Sequence, residues 1–205
     1  MSKIIWSKCE ADGSFTPDEM GVTWVKTGTP SYTAVKWNNG ITQDGSNNQD
    51  VTFTAGSAFS ISFWAKMGDY INGDFYLLNL TNNRMGIEIY NKNAYTYMGG
   101  VYHQALHLSM PSWVNGENIH FGISCDWGRS AGDRIRLYVN GNLLTVGASY
   151  FETNWTGQTI GVKTDGNYAS VDDIIIFNEY ISDYSPYINN EGGVTAVANR
   201  HYIIN

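Results

Sequence analysis

The chain has 205 residues, 42% of them hydrophobic but only 15% charged, and it carries 14 Tyr, 7 Trp, 8 Phe and 22 Gly. Twelve Lys and Arg against 19 Asp and Glu leave a formal charge of -7. No basic cluster is present to neutralise phosphates, which argues against nucleic acid as a partner. No span approaches the roughly 18 apolar residues that cross a bilayer as a helix, which argues against membrane insertion. Few charges, many aromatics and many turn-formers describe an all-β domain with polar loops, because the Glu, Lys, Ala and Leu that helices prefer are scarce.

The opening "MSKIIWSKCEADG" reads as a short strand and lacks the apolar run of a secretory signal. The expectation is that this chain carries no signal peptide, or that one has been removed. Next come "YTAVKWNNG" and "DVTFTA", with the turn cluster "NNGITQDGSNNQD" between them. In "AFSISFWAKM", Phe59, Ile61, Phe63, Ala65 and Met67 fall on one face, and Ser60, Ser62, Trp64 and Lys66 on the other. "DFYLLNL", "MGIEIY" and "ALHLSM" give further strands, and the region around "NAYTYMGGVYH" brings tyrosines next to glycines. In "HFGISCDW", Cys125 is in phase with Phe121, Ile123 and Trp127 and reads as a small core residue. Cys9 and Cys125 are the only cysteines and are expected to be free thiols. In "DRIRLYVNGNLL", Ile135, Leu137 and Val139 oppose Arg134, Arg136 and Tyr138, and "NGN" supplies the positive-φ residues of a tight hairpin. "TIGVK" and "VDDIIIFNEYIS" complete about a dozen strands, with no internal repeat and no linker. Strict alternation in the last of these puts Asp172 on one face with Ile174 and Ile176, and Asp173 on the other with Ile175 and Phe177.

Four segments resemble, in order, the laminin-G-like branch of the concanavalin A-like lectin/glucanase superfamily. They are "YTAVKWNNG", "FSISFWAKM", "IHFGISCDWG…DRIRLYVNGNLL" and the closing "VDDIIIFNEYIS". The resemblance implies a jelly-roll β-sandwich of two curved antiparallel sheets, with a domain over residues 1–182. Residues 183–205 form a C-terminal arm that packs on the domain or on a neighbouring subunit, and the lean is toward the neighbour. The resemblance also implies a structural calcium at Asp172, the position whose aspartate holds such an ion in several family members, with Asn38 in the early turn as a co-ligand. The residues alone leave a second role open: Asp172 accepting hydrogen bonds from backbone amides of a neighbouring loop.

An enzyme reading finds little to work with. Glycosidases of this fold cluster two carboxylates on one strand, whereas Glu88 in "MGIEIY" has no second carboxylate two or four residues on. Tyr102, His103, Gln104 and His107 in "VYHQALHLS" would suit a lyase, or else form a loop leading into a strand. What remains is a surplus of aromatics. Tyr95, Tyr97, Tyr102, Trp113 and Trp155 stand in turns or on outward positions, where flat rings can stack on sugars beside Asn, Gln and Asp. The expectation is a non-catalytic recognition or decoration module that binds a glycan or polysaccharide. Its place would be a phage virion surface, tail or capsid, or otherwise extracellular, with other virion proteins or copies of itself as neighbours. Two alternatives stand beside it: a polysaccharide-active enzyme on the same fold, and a purely structural virion spacer.

Overall fold

A computed structural model of the chain describes residues 2–9, 20, 22, 24–29, 31–37, 39–44, 48–67, 75–78, 86–90, 93–97, 108–109, 116–144, 154–163 and 167–189. Among the described residues the elements are strands apart from one 3-10 turn at Ala131–Asp133 and one short helix. The first six are β1 (Lys3–Ser7), β2 (Val25–Thr27), β3 (Ser31–Ala34), β4 (Asn39–Asp44), β5 (Asn48–Thr54) and β6 (Ala58–Met67). Then come β7 (Phe75–Leu78), β8 (Gly86–Tyr90), β9 (Asn93–Tyr97), β10 (Leu108–Ser109) and β11 (Asn118–Asp126). The last are β12 (Ile135–Val139), β13 (Asn142–Leu143), β14 (Thr159–Lys163), β15 (Asn167–Phe177) and the helix α1 (Ser185–Asn189). Among the described residues no helix is long and apolar enough to cross a membrane.

All the pairings are antiparallel. The strands fall into three hydrogen-bonded groups: a large sheet ordered β13-β12-β11-β6-β15-β4-β3 with β1 also on β15, a group β10-β9-β8-β7, and a group β14-β5-β2. The chain is an all-β sandwich, as its alternating strands predict. Between the large sheet and the β14-β5-β2 group lies the main core. Phe59, Ile61, Phe63 and Ala65 of β6 meet Ile119, Phe121, Ile123 and Cys125 of β11 there, with Val51 and Phe53 of β5 and Ile160 and Val162 of β14. The rings of Phe63 and Phe121, register partners on adjacent strands, stack with centroids 5.4 Å apart. Cys9 and Cys125 are both buried free thiols. Burial pushes both up in pKa, and the nearby charge of Asp172 adds to the effect at Cys9.

The other face of β6 and β11 carries Ser60, Ser62, Trp64, His120, Gly122 and Ser124, and this face is buried as well. What covers it is the segment after β15. Tyr138, Ile175, Phe177, Ile181, Tyr184 and Tyr187 form a second apolar cluster. The small polar residues of the sheet leave room for these rings and bond to the segment. The Ser60 hydroxyl donates to the Glu179 carbonyl at 2.8 Å and accepts the Ile181 amide at 2.9 Å. The Tyr184 hydroxyl donates to the Ile123 carbonyl at 2.9 Å and lies 2.7 Å from Ser124 Oγ. The Trp64 indole donates to the Tyr187 carbonyl at 3.3 Å. Asp183 accepts the Ser185 amide at 2.9 Å, and Pro186, with its preset φ, enters the first turn of α1. Residues 183–189 of the arm therefore pack on the domain's own sheet, and 190–205 lie outside the described residues.

Asn140 and Gly141 join β12 to β13 with φ of +48° and +77°, the two left-handed residues that a tight hairpin needs. The Asn140 side chain also accepts the His120 amide at 2.9 Å, which ties the turn to β11.

Candidate functional site

Two places collect the residues that the sequence singles out. The first is the middle of β15. Along one edge, β15 pairs with β4 through Val171 and with β1 from Ile174 onward, so its partner changes at Asp172 and Asp173. Opposite, Asp172 faces Trp64 and Ile175 faces Ser62, which leaves one extra residue on β15. That is a β-bulge, with Asp173 at a left-handed φ of +49°. The bulge corrects the strict alternation expected here. Val171, Ile174 and Ile176 share the main core, while Ile175 and Phe177 belong to the second cluster, so the period of two slips across the aspartate pair.

Both carboxylates are about 1% exposed, and each meets an N–H donor from the N-terminal part of the chain. Asp172 Oδ2 accepts the backbone amide of Trp37 at 2.9 Å, and Asp173 Oδ1 accepts the indole N–H of Trp6 at 2.6 Å. These bonds offset the desolvation of the charges and fasten the chain's opening to its last strand. The amide bond is the second of the two roles that the residues leave open for Asp172. An ion there would share carboxylates already engaged by N–H groups. Asn38, the expected co-ligand, lies outside the described residues. Among the described residues no group of three or more His, Cys, Asp and Glu side chains converges.

The second place is the β10-β9-β8-β7 group. Tyr95 and Tyr97 occupy alternate positions of β9, and register sets Tyr95 opposite Glu88 and Tyr97 opposite Gly86. Glu88 is in turn opposite Tyr76 on β7, and Tyr90 is opposite Asn93. Directly opposed residues share a face, so Tyr76, Glu88, Tyr90, Asn93, Tyr95 and Tyr97 all fall on one side of this sheet. The alternate register positions are Phe75, Ile87, Ile89, Ala94, Thr96 and Leu108. Glu88 is the single carboxylate within these four strands, and the row crossing it reads Tyr76, Glu88, Tyr95. A two-carboxylate glycosidase centre needs a second acid within about 5–9.5 Å, and these strands do not supply one.

The remaining sequence-based candidates separate. Tyr102 and Trp113 lie outside the described residues. Trp155 corrects the expectation of an outward aromatic. It is 4% exposed, its indole donates to the Ser57 carbonyl at 3.2 Å, and the rings of Phe59 and Trp127 pack against it at 6.0 and 5.2 Å. A Trp preceding a turn is equally suited to filling the end of a sandwich, and here it does that. Tyr76, Tyr90 and Asn93 were missed by sequence reasoning because each is unremarkable on its own strand. The available signal was the two-residue spacing between "GIEIY" and "NAYTY", which fixes a hairpin register and hence the shared face.

No family model matches the chain, and no curated protein matches it. Solved structures do. The binding domain of botulinum neurotoxin serotype D superposes with a TM-score of 0.70 at 16% identity, covering 93% of this chain and 52% of that one. The chain has the β-sandwich fold of these binding domains. A structure of botulinum neurotoxin type C, whose cell entry depends on interaction with two ganglioside molecules, gives 0.68 at 14% identity over 92% of this chain and 50% of that one. The chain thus spans about half the length of the toxin domains. Domain 4 of AbnA, a GH43 extracellular arabinanase from Geobacillus stearothermophilus solved with arabinotriose, gives 0.63 at 14% identity. That match covers 87% of this chain and 93% of the other, so it is a likeness between whole domains.

Proposed function

We propose that the protein is a non-catalytic carbohydrate-recognition module and that the tyrosine-rich face of β7–β10 is its recognition face. The observation that carries this reading is the register that sets Tyr76, Tyr95 and Tyr97 around Glu88, with Asn93 beside them. A sheet in a sandwich commonly buries one face and keeps the other for solvent or ligand. Neighbouring positions on that face are about 6.7 Å apart along a strand and about 9.6 Å apart across two strand spacings. Those spacings suit several tyrosine rings meeting consecutive sugars of one oligosaccharide, with amide and carboxylate groups between them for the hydroxyls. The whole-domain likeness to an arabinanase domain solved with arabinotriose supports the same ligand class, as does the ganglioside dependence of the toxin.

Titration of arabinotriose and a panel of other oligosaccharides into the protein, followed by calorimetry, tests the reading. Tyr95→Ala and Tyr97→Ala should each weaken binding about tenfold while leaving the melting temperature nearly unchanged. Binding that survives both substitutions together would remove this face as the site.

A further inference from the structure

We propose that residues 178–189 form an acid-released strap: they close over His120, and a proton on that ring favours their opening while the main sandwich stays folded. His120 and Trp64 are register partners on β11 and β6, and both are buried on the sheet face that the strap covers. His120 Nε2 lies 2.9 Å from Ser62 Oγ, and the ring of Tyr184 lies against the imidazole with centroids 5.7 Å apart. Nδ1 is sealed in, with no hydrogen-bond partner among the described residues. An imidazolium donates from both nitrogens, so the closed strap leaves one donor of the cation unmet, and opening brings water to it.

The opening is local because the strap and the main core lie on opposite sides of the large sheet. The strap's rings belong to the second apolar cluster. Its polar hold is a few bonds: Ser60 with Glu179 and Ile181, Ser124 with Ile181 and Tyr184, and Trp64 with Tyr187. The charged or titratable groups around it, among the described residues, are Tyr138, Tyr187, Asp172 opposite Trp64, Lys36 over the Trp64 ring, and Glu179 and Asp183 on the strap. Burial pushes Tyr184 up, so it stays neutral in acid, and Ser185 holds Asp183 below the ordinary carboxylate range, so it stays ionised at pH 5.5. Burial lowers His120 from 6.5 to about 3. The closed state therefore keeps its full advantage above pH 6.5 and loses it as pH falls, by about tenfold at pH 5.5 and about a hundredfold at pH 4.5.

Hydrogen exchange read by mass spectrometry, with the chemical rate corrected for pH, tests the strap on the intact chain. Between pH 7.5 and 5.5 the protection of a peptide spanning residues 178–189, which holds the bonded amides of Ile181 and Ile188, should fall about tenfold. Peptides from β5 and β14 in the main core should keep theirs. In His120→Gln the fall should shrink to less than about twofold. Proton NMR of the His120 ring in the wild-type protein decides the matter if that variant does not fold, since the ring should remain neutral at about pH 5. Strap protection that ignores pH, an equal loss in strap and core peptides, a fall that persists in His120→Gln, or a wild-type His120 ring that titrates near its ordinary value would each overturn the proposal.

Discussion

Gly122 lies directly beneath the ring of Tyr184: a Cβ on residue 122 would come within 2.6 Å of the ring carbons. Gly122 pairs with Ser62 on β6 and Tyr138 on β12, in the middle of the large sheet, where a glycine would ordinarily weaken a strand. Here it makes the space into which Tyr184 descends to bond Ile123 and Ser124. Gly122→Ala should therefore destabilise the protein by about 1–3 kcal/mol through overpacking. Tyr184→Ala should cost about 3–5 kcal/mol through the cavity it leaves and the polar groups it strands. The two changes should be strongly non-additive, because removing the ring relieves the clash. Urea denaturation of both single variants and the double variant measures the coupling, and simple additivity would dissociate the two residues.

Removal of residues 183–205 is the more drastic version of the same experiment. It would strip Tyr184 and Tyr187 from the second cluster and uncover Tyr138, Ile175 and Phe177 on a broad sheet face. Truncation after Ser182 should yield insoluble or molten protein, because an apolar patch of that kind on a sheet invites association. Truncation after Asn190 keeps the packed segment and should yield soluble, cooperatively melting protein. Equal folding of both products, measured by thermal melting and near-ultraviolet circular dichroism, would show that the segment is dispensable.

His120 sits in the interior with its Nε2 2.9 Å from Ser62 Oγ and the rings of Trp64 and Tyr184 beside it. Its Nδ1 is buried with no hydrogen-bond partner among the described residues. Burial holds its pKa down at about 3, against an ordinary 6.5. Between those values the unfolded chain binds a proton that the folded chain does not. Stability from this group is complete above pH 6.5 and is lost as pH falls toward 3. The urea midpoint should fall between pH 7 and pH 4, and His120→Gln should flatten that slope while lowering stability at pH 7. A variant that keeps the full wild-type slope would assign it to other groups.

Calcium at Asp172 is the proposal that the family resemblance makes for the bulge. Two adjacent buried carboxylates repel one another, and a cation with oxygen ligands relieves that repulsion. Calcium should then raise the melting temperature over that in chelator, and Asp172→Ala should abolish the rise, since a ligand bound only by the folded state stabilises it by mass action. Identical melting with calcium and with chelator would leave Asp172 as the acceptor of the Trp37 amide alone.

Alternation and composition determined most of this architecture. Phe59, Ile61, Phe63 and Ala65 must share a face in any strand, as must Ile119, Phe121, Ile123 and Cys125, because side chains on a strand repeat every two residues. The Asn140–Gly141 hairpin was equally legible, since few other pairs tolerate two consecutive left-handed residues. Tertiary structure alone decided three things. It decided that the serine face of β6 is a second interior, because small polar residues look exposed until a segment more than a hundred residues away satisfies them. It decided the slip at Asp172 and Asp173, because that bulge arises where β15 exchanges one neighbouring strand for another, a fact of sheet order with no local signature. It also decided the row of Tyr76, Glu88 and Tyr95, because a face shared across three strands is a property of register, and register is written in no single strand.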